Sequence, residues 1–158
     1  MKSNYLFPYS FRKIGWILLV PSLLFGIIYM IMDYDLGFIE GTAFAIWGEE
    51  NFFDTVFFKF IENDLTDELI GIALLVGSVF VALSKEPVED EFIQRLRLES
   101  LVWALYWNYG ILLLAIIFIY GSPFFTVMTI NLFSLLLIFV LRFRVRLRAE
   151  QKAMGNEE

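Results

Sequence analysis

The sequence predicts an all-α integral membrane protein, a bundle of four spanning helices with an additional helix lying in the outer interface. Two observations carry the prediction. First, the runs 14–32, 69–83, 101–120 and 124–141 contain no Asp, Glu, Lys or Arg. A chain of 158 residues has too high a surface-to-volume ratio to hide that much uncharged surface from water. A run of ~20 apolar residues instead matches the ~30 Å hydrocarbon core of a bilayer.

The second observation is the segregation of charge. Residues 33–68 carry ten acids against the single base Lys59, and the other eleven Lys and Arg fall in 1–13, 84–100 and 142–158. Four crossings put those eleven on one side, and Lys and Arg beside span ends stay cytoplasmic. The expectation is a multi-pass protein of the bacterial inner membrane with both termini cytoplasmic. The 33–68 loop and the Gly121-Ser122-Pro123 turn are then outside.

Composition narrows the chemistry. There is no Cys, hence no disulfide, thiol nucleophile or iron–sulfur ligand. There is no His, which removes the commonest general base and zinc ligand. No phosphate-binding glycine loop, nucleophile elbow or metal-ligand spacing occurs. No cofactor, no metal and no enzymatic activity are expected.

The first span, 14–32, follows Lys2, Arg12 and Lys13 as a targeting segment would, but it is 19 residues long and runs into Asp33-Tyr34-Asp35 without a small-residue cleavage site. It reads as a retained helix bent at Pro21. The 36-residue loop that follows is unusually aromatic (Phe38, Phe44, Trp47, Phe52, Phe53, Phe57, Phe58, Phe60). Phe53, Phe57 and Phe60 recur at three- and four-residue spacing, which predicts an amphipathic interfacial helix over 51–62. Asp64 or Thr66 then caps the second span, 66–83, with Asp67 and Glu68 in the first turn, where the helix dipole favours acids.

Pro87 fits a first-turn position, and Glu91–Arg95 and Arg95–Glu99 are spaced as i,i+4 pairs. One helix is therefore expected over 87–120, its first turns (87–100) extending into the cytoplasm ahead of span 101–120. The three-residue connection 121–123 forces an antiparallel hairpin with span 124–141. The tail from Ala149 is polar and expected to fray.

Three groups of residues are candidate sites. Glu89, Asp90, Glu91, Arg95, Arg97 and Glu99 form a charged segment suited to docking a soluble partner, or the basic tail of this same chain. Consecutive carboxylates on a helix point about 100° apart, so the acidic triplet cannot converge on one cation. Arg142, Arg144, Arg146 and Arg148 suit an anchor in anionic headgroups; four arginines beside several acids make no basic groove for nucleic acid. Asn108, Asn131 and Ser134 are polar residues inside spans, suited to interhelix hydrogen bonding or to a small polar pocket.

The stretch Ser84-Lys85-Glu86, Glu89-Asp90-Glu91-Phe92-Ile93 and Leu96-Arg97-Leu98-Glu99-Ser100-Leu101 resembles a group of small bacterial four-span membrane proteins. Those proteins carry a KExxEDE(F/Y)I…LRLESL-type segment at the cytoplasmic start of span three. More distantly it is similar to small membrane proteins with an Asp-Glu-Arg motif there, often encoded beside a helix-turn-helix regulator. The resemblance implies a regulatory or adaptor protein that engages a transcription factor through Asp90, Glu91 and Arg97. The competing expectation is a small oligomeric channel or transporter for a neutral or apolar solute. No ionisable residue lies mid-span to serve a charged path.

Overall fold

The computed structural model describes residues 5–32, 39–51 and 54–154. Four helices account for most of the described chain, as the charge-free runs require: α1 (Ser10–Ile31), α2 (Thr66–Leu83), α3 (Glu91–Phe118) and α4 (Ser122–Met154). All four are long and apolar enough to cross a membrane. Their outward residues, such as Ile17, Leu24, Ile72, Leu113, Phe125 and Leu132, are exposed. Apolar surface of that extent is what a bilayer covers, since soluble monomers rarely expose more than a few hundred Å² in one patch.

Two compact units divide the chain, one of Met1–Ile17 with Leu75–Glu158 and the other of Leu18–Leu74. In the first, α3 and α4 form the antiparallel hairpin that the short connection dictates. Ile119 closes α3 by donating its amide to the carbonyl of Ala115 at 2.8 Å, and Gly121 then turns the chain at φ 74°, in the region only glycine adopts freely. The core is small, built from Val81, Ala82, Ile93, Leu96, Ala104, Phe139, Val140, Phe143 and Leu147.

The same unit binds the N-terminal segment to the end of α2. The amide of Phe7 donates to Leu83 O and that of Lys85 donates to Phe7 O, both at 2.9 Å, a short parallel bridge. Phe7, Phe11 and Phe80 pack with ring centroids 5.1–5.6 Å apart. Just beyond, α1 meets α2 so closely that a Cβ on Gly15 would lie 2.8 Å from the Val81 amide nitrogen and 2.9 Å from Phe80 Cβ. Small residues at such crossings let membrane helices approach where side chains would hold them apart.

The second unit corrects the sequence reading. The loop does not form an interfacial helix over 51–62. It forms an antiparallel hairpin, β1 (Glu40–Asn51) with β2 (Asp54–Asp64). The register places Phe44 opposite Phe60 and Trp47 opposite Phe57, with ring centroids 5.1 and 6.1 Å apart. Such cross-strand aromatic pairs stabilise a sheet much as i,i+4 pairs do a helix. Phe53, which contributed to the helical expectation, lies outside the described residues, as do Phe38, Phe52 and Lys2. The hairpin leads directly into α2. Asp64 Oδ1 accepts from the Thr66 amide at 3.0 Å and from the Thr66 hydroxyl at 2.5 Å, and the Thr66 hydroxyl accepts from the Ile39 amide at 3.2 Å. These bonds to the ionised form hold the Asp64 carboxyl below its usual range.

Helix boundaries also differ. α3 begins at Glu91, not Pro87, because Asp90 is the N-cap: its backbone is extended (φ −113°, ψ 178°) and its carboxylate accepts the Ile93 amide at 2.8 Å. α4 continues to Met154, so the segment from Ala149 does not fray at once; Ala149, Glu150, Gln151 and Lys152 are all good helix formers. Residues 155–158 lie outside the described residues.

Candidate functional site

The polar end of the first unit is organised around Glu86, in the α2–α3 connection. This side chain is 4% exposed, and each of its carboxylate oxygens receives a guanidinium. Arg12, from the first turn of α1, donates Nη1 to Oε2. Arg144, from α4, donates Nη1 to Oε1 at 2.6 Å and Nη2 to the Val81 carbonyl at 3.3 Å. One carboxylate therefore ties two helices to the loop that feeds a third. A buried carboxylate needs such compensation, because taking an ion from water costs several kcal/mol.

A second pair completes the loop. Glu89 Oε1 accepts from the Glu86 amide at 2.8 Å and from Arg97 Nη2 at 2.7 Å, and the same Arg97 nitrogen reaches the Ser84 carbonyl at 3.3 Å. The loop before α3 is thus closed on itself by Glu89 and pinned to α3 by Arg97. The face of Phe143 lies beneath two of these guanidiniums, 5.2 Å from Arg97 Cζ and 5.6 Å from that of Arg144. Phe143 is buried, so the charges sit on a fixed aromatic floor.

This geometry divides the residues that the sequence grouped together. Glu89 and Arg97 are engaged internally and Asp90 is a helix cap, whereas Glu91, Arg95 and Glu99 are exposed on α3. Phe92, Leu98 and Val102 are exposed with them, opposite the buried Ile93, Leu96 and Ser100. The arginine run divides as well. Arg144 is ion-paired, Arg142 is stacked on Trp103 with Cζ 4.0 Å from the ring centroid, and Arg146 and Arg148 are exposed.

The intramembrane polar residues do come together. Asn108 of α3 is buried, and its Oδ1 accepts from the hydroxyl of Ser134 and, at 3.4 Å, from Asn131 Nδ2, both of α4. Three polar side chains satisfy one another across the helix hairpin.

Glu86 and Arg12 are not among the candidate residues that the sequence offers. Their partners lie 58 to 74 positions away, so no local spacing reveals them. The one available signal is the Arg tail: a basic helix exit must find a counter-charge, and the acid nearest the end of α2 is Glu86. Among the described residues no group of three or more His, Cys, Asp or Glu is placed to hold a metal ion. No family model, curated protein or solved structure matches the chain.

Proposed function

We propose that this chain is a small regulatory or adaptor protein of the bacterial inner membrane, without enzymatic activity, that docks a soluble partner on its cytoplasmic face. The supporting observation is the outward face of α3. Glu91, Arg95 and Glu99 alternate in sign along it, and Phe92 and Leu98 are exposed among them. Leu98 is 62% exposed although the segment stands ahead of the apolar run, where water rather than lipid would meet it. Charged pairs around a few apolar side chains form the kind of surface that helix-recognising partners bind. The resemblance noted above names a helix-turn-helix regulator as the candidate.

The Glu86 hub supplies a mechanism. It connects α1 and α4 to the loop that sets where α3 begins. Any change in helix packing that separates Arg12 or Arg144 from Glu86 releases that loop and alters the docking face. A signal acts by binding one arrangement better than the other. The channel reading is less well supported, because the polar side chains available to line a path, Asn108, Asn131 and Ser134, are hydrogen-bonded to one another.

The test is affinity capture from detergent-solubilised membranes with wild type and with Glu91→Lys/Arg95→Glu/Leu98→Asp. These three residues are exposed, so the variant leaves the cap and ion pairs intact. Loss of a soluble protein from the variant supports the reading. Recovery of the same proteins by both overturns it.

A further inference from the structure

α3 and α4 flank an open groove, and its lining changes character along its length. Trp103, Trp107 and Ile111 form one wall, spaced i, i+4, i+8 along α3. Ile138, Leu141, Arg142, Val145 and Arg146 form the other. The groove is thus aromatic and apolar toward the span, with two guanidiniums where α4 leaves it. Eight residues of helix rise ~12 Å, enough for the upper part of an acyl chain.

The arginines of this end are not equivalent. Arg12 and Arg144 share Glu86, and Arg97 has Glu89. Arg142 has neither a hydrogen bond nor an ion pair among the described residues, its Nε is buried, and its Cζ lies over the face of Trp103. Arg146, one turn on, is also without an acid among the described residues and is exposed. A half-buried cation held over an aromatic ring, with no anion among the described residues, is suited to an anion from outside the chain. A planar guanidinium favours phosphate oxygens, which it can meet with two hydrogen bonds.

We propose that this groove is a binding site for a single anionic phospholipid, its phosphate held by Arg142 and Arg146 and one acyl chain lying along Trp107, Ile111 and Ile138. The site narrows the role of the arginine run. Arg144 takes no part, because Glu86 neutralises it, and Arg148 lies outside the groove lining.

The groove indoles provide the readout. The chain has four Trp, and Trp16→Phe/Trp47→Phe leaves Trp103 and Trp107 as the only indole reporters. This protein is reconstituted in bilayers containing brominated phosphatidylglycerol or brominated phosphatidylcholine at equal mole fraction. The expected result is preferential quenching by the anionic lipid, equivalent to roughly fivefold or more in relative affinity, the scale of one cationic contact to an acidic lipid. The preference should fall toward unity in Arg142→Gln/Arg146→Gln and persist in Arg148→Gln. Equal quenching by the two lipids in the parent protein overturns the proposal without recourse to any arginine variant, and marks the groove as filled by bulk lipid. A preference unchanged in Arg142→Gln/Arg146→Gln overturns it as well.

Discussion

Replacing Glu86 by Gln keeps the shape of the side chain and removes the charge that two helices share. Glu86 is 4% exposed on its side chain, and its partners Arg12 and Arg144 are 19% and 11% exposed. Neither guanidinium regains much water when the carboxylate is lost. Removing one member of a buried ion pair typically costs ~3–5 kcal/mol, largely because the other charge stays buried and unpaired. Here two cations are left so, and the amide oxygen of Gln returns only a neutral hydrogen bond to one of them. We expect a loss of ~3 kcal/mol or more. Arg12→Gln should cost less, about 1.5–3 kcal/mol, because Glu86 keeps Arg144. The combination Arg12→Gln/Glu86→Gln should be non-additive by ~1 kcal/mol or more, as expected for residues in one network. Unfolding in mixed micelles with increasing dodecyl sulfate, followed by tryptophan emission, measures all three. Glu91→Gln is the surface reference. If Glu86→Gln lies within ~0.5 kcal/mol of that reference, the size expected for a surface substitution, the hub does not hold these helices together.

Gly15→Ala places a methyl group against the Val81 backbone and should destabilise the protein by ~1–3 kcal/mol in the same assay, the usual cost of overpacking, whereas Gly110→Ala, with open space around it, should not. Asn108→Leu leaves Ser134 and Asn131 without their shared acceptor and should cost ~0.6–2 kcal/mol; Asn131→Leu, which removes only the 3.4 Å bond to Asn108, should cost less. Asp64 titrates below the ordinary carboxylate value in the folded protein, so its contribution is present above ~pH 4 and is lost as pH falls through the folded value. Hydrogen exchange at the start of α2, corrected for intrinsic rates, should therefore accelerate on acidification in wild type but not in Asp64→Asn.

What was legible in the sequence follows from the range of the interactions involved. The spans were legible because lipid excludes charge from every residue of a run, and the predicted second span, 66–83, coincides with α2. The third–fourth hairpin was legible because a three-residue connection leaves no other geometry. The outer hairpin was not. Its Phe57 and Phe60 are three residues apart, a helical spacing, yet they face Trp47 and Phe44 on a strand that no local pattern announces. Phe58 sits between them at φ 51°, where the two-residue alternation of a regular strand does not hold. Pro87 suits a first turn and so points to an earlier start of α3, whereas Glu89 closes the loop on the Glu86 amide and leaves Asp90 to cap the helix. The charged segment was visible as a whole, but only tertiary contacts reveal that Glu89 and Arg97 hold the scaffold while Glu91 and Arg95 remain available. Glu86 was hidden for the same reason, since its two partners lie on helices at the far ends of the sequence.

The proposed docking face works only if each polar segment faces the compartment its charges imply, and the absence of cysteine makes that directly measurable. Single cysteines at Thr42 in β1 and at Arg95 in α3, both exposed, are treated with a membrane-impermeant maleimide on intact cells and again after lysis. Thr42→Cys should be labelled on intact cells, with Arg95→Cys reacting only after lysis. Reaction of both, or of Arg95→Cys alone, before lysis would contradict this orientation.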